Sequence, residues 1–81
     1  MNILIDNFPP DVTEEEVREL LGDNENIEDI LLTDGENSKD VSVTVRVNIE
    51  RAGATGMAEY INGKFFKDRR LSAQVMSLLN E

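Results

Sequence analysis

The chain has 81 residues, 40% of them hydrophobic, enough for one domain with a single modest core. It holds no cysteine and no histidine, which excludes disulfides and thiolate metal sites and removes the commonest general base and metal ligand. Seventeen acidic against eight basic residues leave a net charge of −9, so the molecule as a whole repels a polyanion.

The opening "MNILIDNF" has neither a basic region nor a long apolar run, so no signal peptide is expected. No stretch approaches the roughly 20 apolar residues needed to cross a bilayer, and a cytoplasmic protein without membrane association is the default. "NILI" (Asn2 to Ile5) alternates and predicts a short strand, with Ile3 and Ile5 on one face and Asn2 and Leu4 on the other. Two prolines then stop it. "VTEEEV" is a helix start: Thr13 caps, Glu16 completes a capping box, and Val12 with Val17 forms a hydrophobic staple. Glu14 to Glu16 suit the positive end of the helix dipole. Val17, Leu20 and Leu21 make the buried stripe and Gly22 the stop.

"NIEDILLTD" predicts a second strand, with Ile30 and Leu32 on one side and Asp29, Leu31 and Thr33 on the other. Residues 34–40 form a polar loop of the kind that joins antiparallel strands. In "KDVSVTVRVN", Val41, Val43, Val45 and Val47 alternate with Ser42, Thr44 and Arg46, a third strand with one greasy and one polar side. A second helix is expected over about 49–61, capped by Asn48, with Ala54, Met57, Ala58 and Ile61 inward. "NGKFFKD" turns the chain and returns Phe66 to the core, leaving Phe65 pointing elsewhere. "RRLSAQVM" is the fourth strand, with Leu71, Ala73 and Val75 inward and Arg70, Ser72 and Gln74 outward. The order is β-α-β-β-α-β: an α+β, ferredoxin-like sandwich with a four-stranded antiparallel sheet and two helices on one face. One domain spans 1–81, with its core at about 2–76 and a short tail at 77–81.

With that order in place, "ILIDNF" (Ile3 to Phe8) is similar to the shorter signature strand of the RNA recognition motif (RRM) family, with Leu4 where the family has an aromatic. "NGKFFKDRRLSAQV" resembles the family's closing segment, with Asp68 in the usual glycine position, and the second helix's stripe before Asn62 and Gly63 also matches. The family's longer signature falls on "DVSVTVRV" (Asp40 to Val47), where its two outward aromatics become Ser42 and Thr44 and its basic-glycine opening becomes Asp40 and Val41. The resemblance implies single-stranded RNA as the ligand. The three degenerate positions argue against the family's usual stacking of bases on rings.

Charge is unevenly spread. Residues 1–40 hold thirteen acids and two bases, a net of −11; residues 41–81 hold four acids and six bases, a net of +2. Lys64, Lys67, Arg69 and Arg70 fall within seven positions, a local cationic patch that a polyanion could find, unless the acids elsewhere serve only solubility.

Three functional readings follow. The first is a non-enzymatic RNA-binding module whose contacts are weak or non-standard: Leu4, Ser42, Thr44 and Arg46 on the sheet, Arg70, Ser72 and Gln74 on the last strand, and Lys64, Lys67 and Arg69 at its edge. Arg46, Arg70 and Lys67 would lead an electrostatic and hydrogen-bonding mode that falls steeply with salt; the bland alternative is an ordinary wetted strand face. The second is a protein-interaction or self-association module, using Leu4 and Leu31 with Met76, Leu78 and Leu79, unless the tail itself covers Leu4 and Leu31. The third, an enzyme, rests only on Asp6 and Asp29 as outward carboxylates on neighbouring strands, without a nucleophile or phosphate-cradling loop. No catalytic residue, metal or cofactor is expected.

Overall fold

A computed structural model describes residues 1–22, 24–34 and 39–76. The elements run β1 (Asn2–Phe8), α1 (Glu14–Leu20), β2 (Ile27–Asp34), β3 (Val41–Val47), α2 (Arg51–Ile61), β4 (Phe65–Phe66), β5 (Arg69–Arg70) and β6 (Ser72–Met76). Four of the strands form one antiparallel sheet in the order β2-β3-β1-β6, the arrangement expected of the α+β sandwich. β4 and β5 make a separate two-stranded ribbon. The tail from residue 77 lies outside the described residues, so its role in covering Leu4 and Leu31 does too.

The core forms where the period-two and helical patterns meet. Ile3, Ile5, Phe8, Val43 and Val45 are buried on the sheet, facing Val17 of α1 and Ala54, Ala58 and Ile61 of α2. Phe66 meets Phe8 edge-on, with ring centroids 5.4 Å apart and planes at 73°, a geometry that sets the positive ring edge against the negative face.

α1 begins with the capping box in full. The Thr13 hydroxyl accepts from the Glu16 N–H at 3.2 Å, and the Glu16 carboxylate accepts from the Thr13 N–H at 3.0 Å. Gly22, at φ +81°, takes the left-handed conformation just past the helix end that a side chain resists. α2 departs from expectation at its start. It opens after Glu50, which makes no side-chain cap bond, and Asn48 is not its cap. The Asn48 N–H donates to the Asn26 carbonyl at 2.8 Å, which ties the end of β3 to the entry of β2. Gly53 and Gly56 lie within α2, where each costs about 1 kcal/mol relative to alanine. A Cβ on Gly53 would sit 3.3 Å from Ile49 Cδ1, the movable end of a side chain, and one on Gly56 would have no neighbour within 4 Å.

Two strands differ from their sequence reading. β1 runs on to Phe8 through a bulge: Ile5 pairs with Val43 and Phe8 with Val41, so three steps on β1 match two on β3. Asn7 absorbs the extra residue at φ +79°, a region asparagine tolerates better than most, and Phe8 is thereby turned inward. The expected fourth strand splits at Leu71. The Leu71 N–H donates to the Lys64 carbonyl and its carbonyl accepts from the Gly63 N–H, each at 2.8 Å, so Arg69 and Arg70 pair with Phe66 and Phe65 rather than with β1. Lys67 and Asp68 join that ribbon with φ of 48° and 67°, as a two-residue turn matched to strand twist requires.

Candidate functional site

Both helices lie on one face of the sheet, and the register orders the other. One row crosses it as Leu31, Thr44, Leu4 and Gln74, the second as Asp29, Arg46, Asn2 and Met76. In the third, Thr33 pairs with Ser42 and Asp6 with Ser72, and the Ser42 hydroxyl donates to Asp6 Oδ1 at 2.6 Å across the gap left by the bulge. Six residues singled out by sequence therefore come together: Leu4, Ser42, Thr44, Arg46, Ser72 and Gln74. None of these twelve positions carries a ring. Ser42 and Thr44 point away from the buried valines, half-exposed, and Leu31 is 57% exposed beside them.

The face offers hydroxyls, amides, two carboxylates and one guanidinium. Arg46 lies 4.0 Å from Glu28, a loose pair of two half-exposed side chains that leaves most of the guanidinium to solvent. Asn2 Oδ1 is buried without a hydrogen-bond partner. Asp6 and Asn2 were not among the RNA-contact residues read from sequence; strand parity puts both on this face, but the Asp6–Ser42 bond depends on a register that one strand cannot reveal. Asp6 and Asp29 do not form the carboxylate pair considered from the sequence, because β3 lies between their strands. Asp29 accepts instead from the Ile30 N–H at 2.9 Å.

The cationic patch disperses. Lys67 is not on the sheet face: its ammonium is 2.8 Å from Glu16 and 3.8 Å from Asp11, at the start of α1. Arg69 turns to Asp40 at 2.7 Å and also donates to the Asn7 side chain and the Phe8 carbonyl. Arg70 belongs to the ribbon, with its guanidinium against Gly63 and its carbonyl accepting from Asn7 Nδ2 at 3.0 Å. The Lys64 ammonium lies over the Tyr60 ring, 4.2 Å from its centre. Acids distant in sequence thus occupy two of the four charges, and the sequence-adjacent cluster does not present one surface to a polyanion.

The hydrogen bond with Lys67 holds the Glu16 carboxyl below the usual glutamate value, with the Thr13 N–H adding to it, and the same bond raises the Lys67 ammonium above the usual lysine value. The Glu16 contribution to stability is present above the ordinary glutamate value and is lost as pH falls through its lowered folded one. That of Lys67 is complete below the ordinary lysine value and is lost as pH rises through its raised one. The clasp between ribbon and α1 therefore holds across the whole neutral range. Lys67→Met should return the Glu16 titration, followed by carboxyl-carbon NMR, towards the ordinary value; an unmoved midpoint would show that Thr13 alone sets it.

The sequence matches the family model described as the RNA recognition motif over residues 3–72. No curated protein sequence matches the chain. Among solved structures, the RRM3 domain of Pes4 superposes with a TM-score of 0.76 at 17% identity, covering 94% of this chain and 90% of that one. The RRM of Rna15, solved with bound RNA (GU), gives a TM-score of 0.72 at 14% identity over 94% and 82%. The NONO-1 homodimer of C. elegans gives 0.71 at 24% identity, covering 94% of this chain but 28% of that one. At these identities the likeness is one of fold.

Proposed function

Since the chain belongs to the RNA recognition motif family, whose members are non-enzymatic RNA-binding modules, we propose that it binds single-stranded RNA across the open sheet face by hydrogen bonds and one cation rather than by stacking. The observation that carries this reading is the ringless surface formed by Leu4, Ser42 and Thr44. Base stacking on an aromatic is worth about 1–3 kcal/mol per base, so three missing platforms remove roughly 3–9 kcal/mol, against about 8 kcal/mol for a whole micromolar complex. The remaining groups can still satisfy base edges: Thr44 and Ser72 as donors or acceptors, Gln74 as both, Asp6 as an acceptor for an exocyclic amino group. Arg46 is left to contact phosphate. Binding by this set is weak.

The salt dependence follows from the same positions. Three leading cations would give a steep loss of affinity with salt, but Lys67 is held by Glu16 and Asp11, and Arg70 lies off the sheet. Arg46 alone predicts a slope of log K against log salt near −0.7, that of about one phosphate on a single strand. A titration of labelled protein with a short mixed-sequence RNA, at low and at physiological salt, tests both points. Amide shifts should centre on Leu4, Ser42, Thr44, Arg46, Ser72 and Gln74 and lose little strength with salt. No shift on this face at either salt would refute the reading. A slope of −2 or steeper would return Lys67 and Arg70 to the interface.

A second reading has its own support in the row of Leu31, Thr44 and Leu4, where an exposed leucine and a half-buried one stand on either side of the β3 threonine. A self-associating surface there would reveal itself by shifts of these three residues on dilution, without RNA.

A further inference from the structure

We propose that the open face prefers guanine, and that Asp6 selects it by accepting from the N1–H and N2–H groups of one base together. The inference rests on the RNA reading above and names the base which that reading leaves open.

Asp6 is the uncompensated charge of its surroundings. It lies on the open side of β1, half-buried, with Ser42 of β3 on one side and Ser72 of β6 on the other. Among the described residues no cation forms an ion pair with it. Arg46 stands opposite Asn2, four residues away along β1, which is roughly 13 Å at the rise of a strand. A carboxylate so placed repels phosphate, so a strand crossing here brings a base to Asp6 and keeps its backbone near Arg46.

The Ser42 hydroxyl fixes the group. It donates to Asp6 Oδ1 at 2.6 Å, which orients the carboxylate and leaves Oδ2 without a partner among the described residues. A carboxylate is acceptor-only, and lone pairs remain on both of its oxygens. The base must therefore supply donors.

Only guanine supplies two of them side by side. Its N1–H and N2–H share the Watson–Crick edge that a single strand leaves open, and a carboxylate takes both as parallel, charge-assisted bonds. The hydroxyl of Ser72, the cross-strand partner of Asp6, can donate to the adjacent O6. Adenine and cytosine set one amino group beside a bare ring nitrogen, whose lone pair faces the second oxygen. Uracil flanks its one N–H with two carbonyls, and both are repelled. Buried polar groups left facing the wrong partner discriminate far more strongly than a misfit in an apolar pocket.

The labelled protein is titrated with the RNA pentamers UUGUU, UUAUU, UUCUU and UUUUU, and with UUIUU, whose inosine lacks only the N2 amino group of guanosine. The amides of Asp6, Ser42 and Ser72 should report binding of UUGUU roughly tenfold or more tighter than UUUUU, with UUIUU well short of UUGUU. Asp6→Asn keeps an acceptor for the Ser42 hydroxyl and should fold as the parent does, but it offers one acceptor and one donor. That pair suits N3–H and O4 of uracil as well as N1–H and O6 of guanine or inosine, so the variant should bind the three pentamers alike. A parent that binds UUUUU or UUIUU as tightly as UUGUU would overturn the assignment and leave the RNA reading standing. So would a guanine preference that survives in Asp6→Asn. No shift with any pentamer would sink both together.

Discussion

Placing phenylalanine at Leu4 and at Thr44 should convert a weak RNA contact into a tight one. The two residues are cross-strand partners on the central pair of strands, so rings there would stand side by side on the open face. Neither belongs to the buried core, and the valines on the reverse of β3 remain as they are. Each ring supplies about 1–3 kcal/mol of stacking, which is roughly 5- to 150-fold in affinity per substitution. Because the rings are neighbours, the double variant need not equal the product of the singles, and a double-mutant cycle measures the coupling. No charge changes, so the salt slope should stay where Arg46 sets it. Fluorescence anisotropy with a labelled oligouridine reads both quantities. If affinity does not rise with either ring, RNA does not cross this surface, however closely the fold follows the family.

That outcome turns on positions legible in the sequence. The alternation from Val41 to Val47 placed Ser42 and Thr44 outward because a strand buried on one face leaves no other solution, and the structure agrees. Thr13 and Glu16 announced α1 for an equally local reason: the donors of a helix's first turn need acceptors close in sequence. Where a residue's partner lies far along the chain, the sequence was silent or misleading. Asn48 has the right side chain for a cap, but α2 opens only after Glu50, two residues further on, while the Asn48 backbone is tied to Asn26 beside the sheet. Lys67 and Arg69 are neighbours of Lys64 and Arg70 along the chain and so predict a patch, but Glu16 and Asp40 reach two of the four through the fold. The break at Leu71 is of the same kind, since "RRLSAQV" alternates without interruption and only the bonds to Gly63 and Lys64 divide it. The bulge at Asn7 decides which way Phe8 points, since unbroken alternation after Asp6 would have turned that ring outward.

The three phenylalanines should separate sharply when each is cut to alanine. Phe8 is fully buried, pairs with Val41 and meets Phe66 edge-on, while its carbonyl accepts from Arg69. Removing a buried ring costs about 3–5 kcal/mol in lost transfer energy and residual cavity. A domain of this length has a total stability of about 4–12 kcal/mol, so Phe8→Ala should remove about a quarter of it or more, and should leave the chain largely unfolded at 37 °C where the parent stands at the lower end of that range. Phe66 is half-buried and retains partial solvation, so its loss should cost less than that of Phe8. Phe65 is 68% exposed and should change stability by no more than about 0.5 kcal/mol. Urea unfolding of the three variants reads the series directly, and a Phe8–Phe66 cycle should return about 0.5–1.5 kcal/mol for the edge-on pair. The order also bears on function. Phe8 anchors the bulge that follows directly on Asp6, so a folded fraction of the variant should show the Asp6–Ser42 hydrogen bond loosened and the shifts of Ser42 altered. If Phe8→Ala cost no more than Phe65→Ala, the inward turn at Asn7 would be wrong, and Phe8 would not belong to the core.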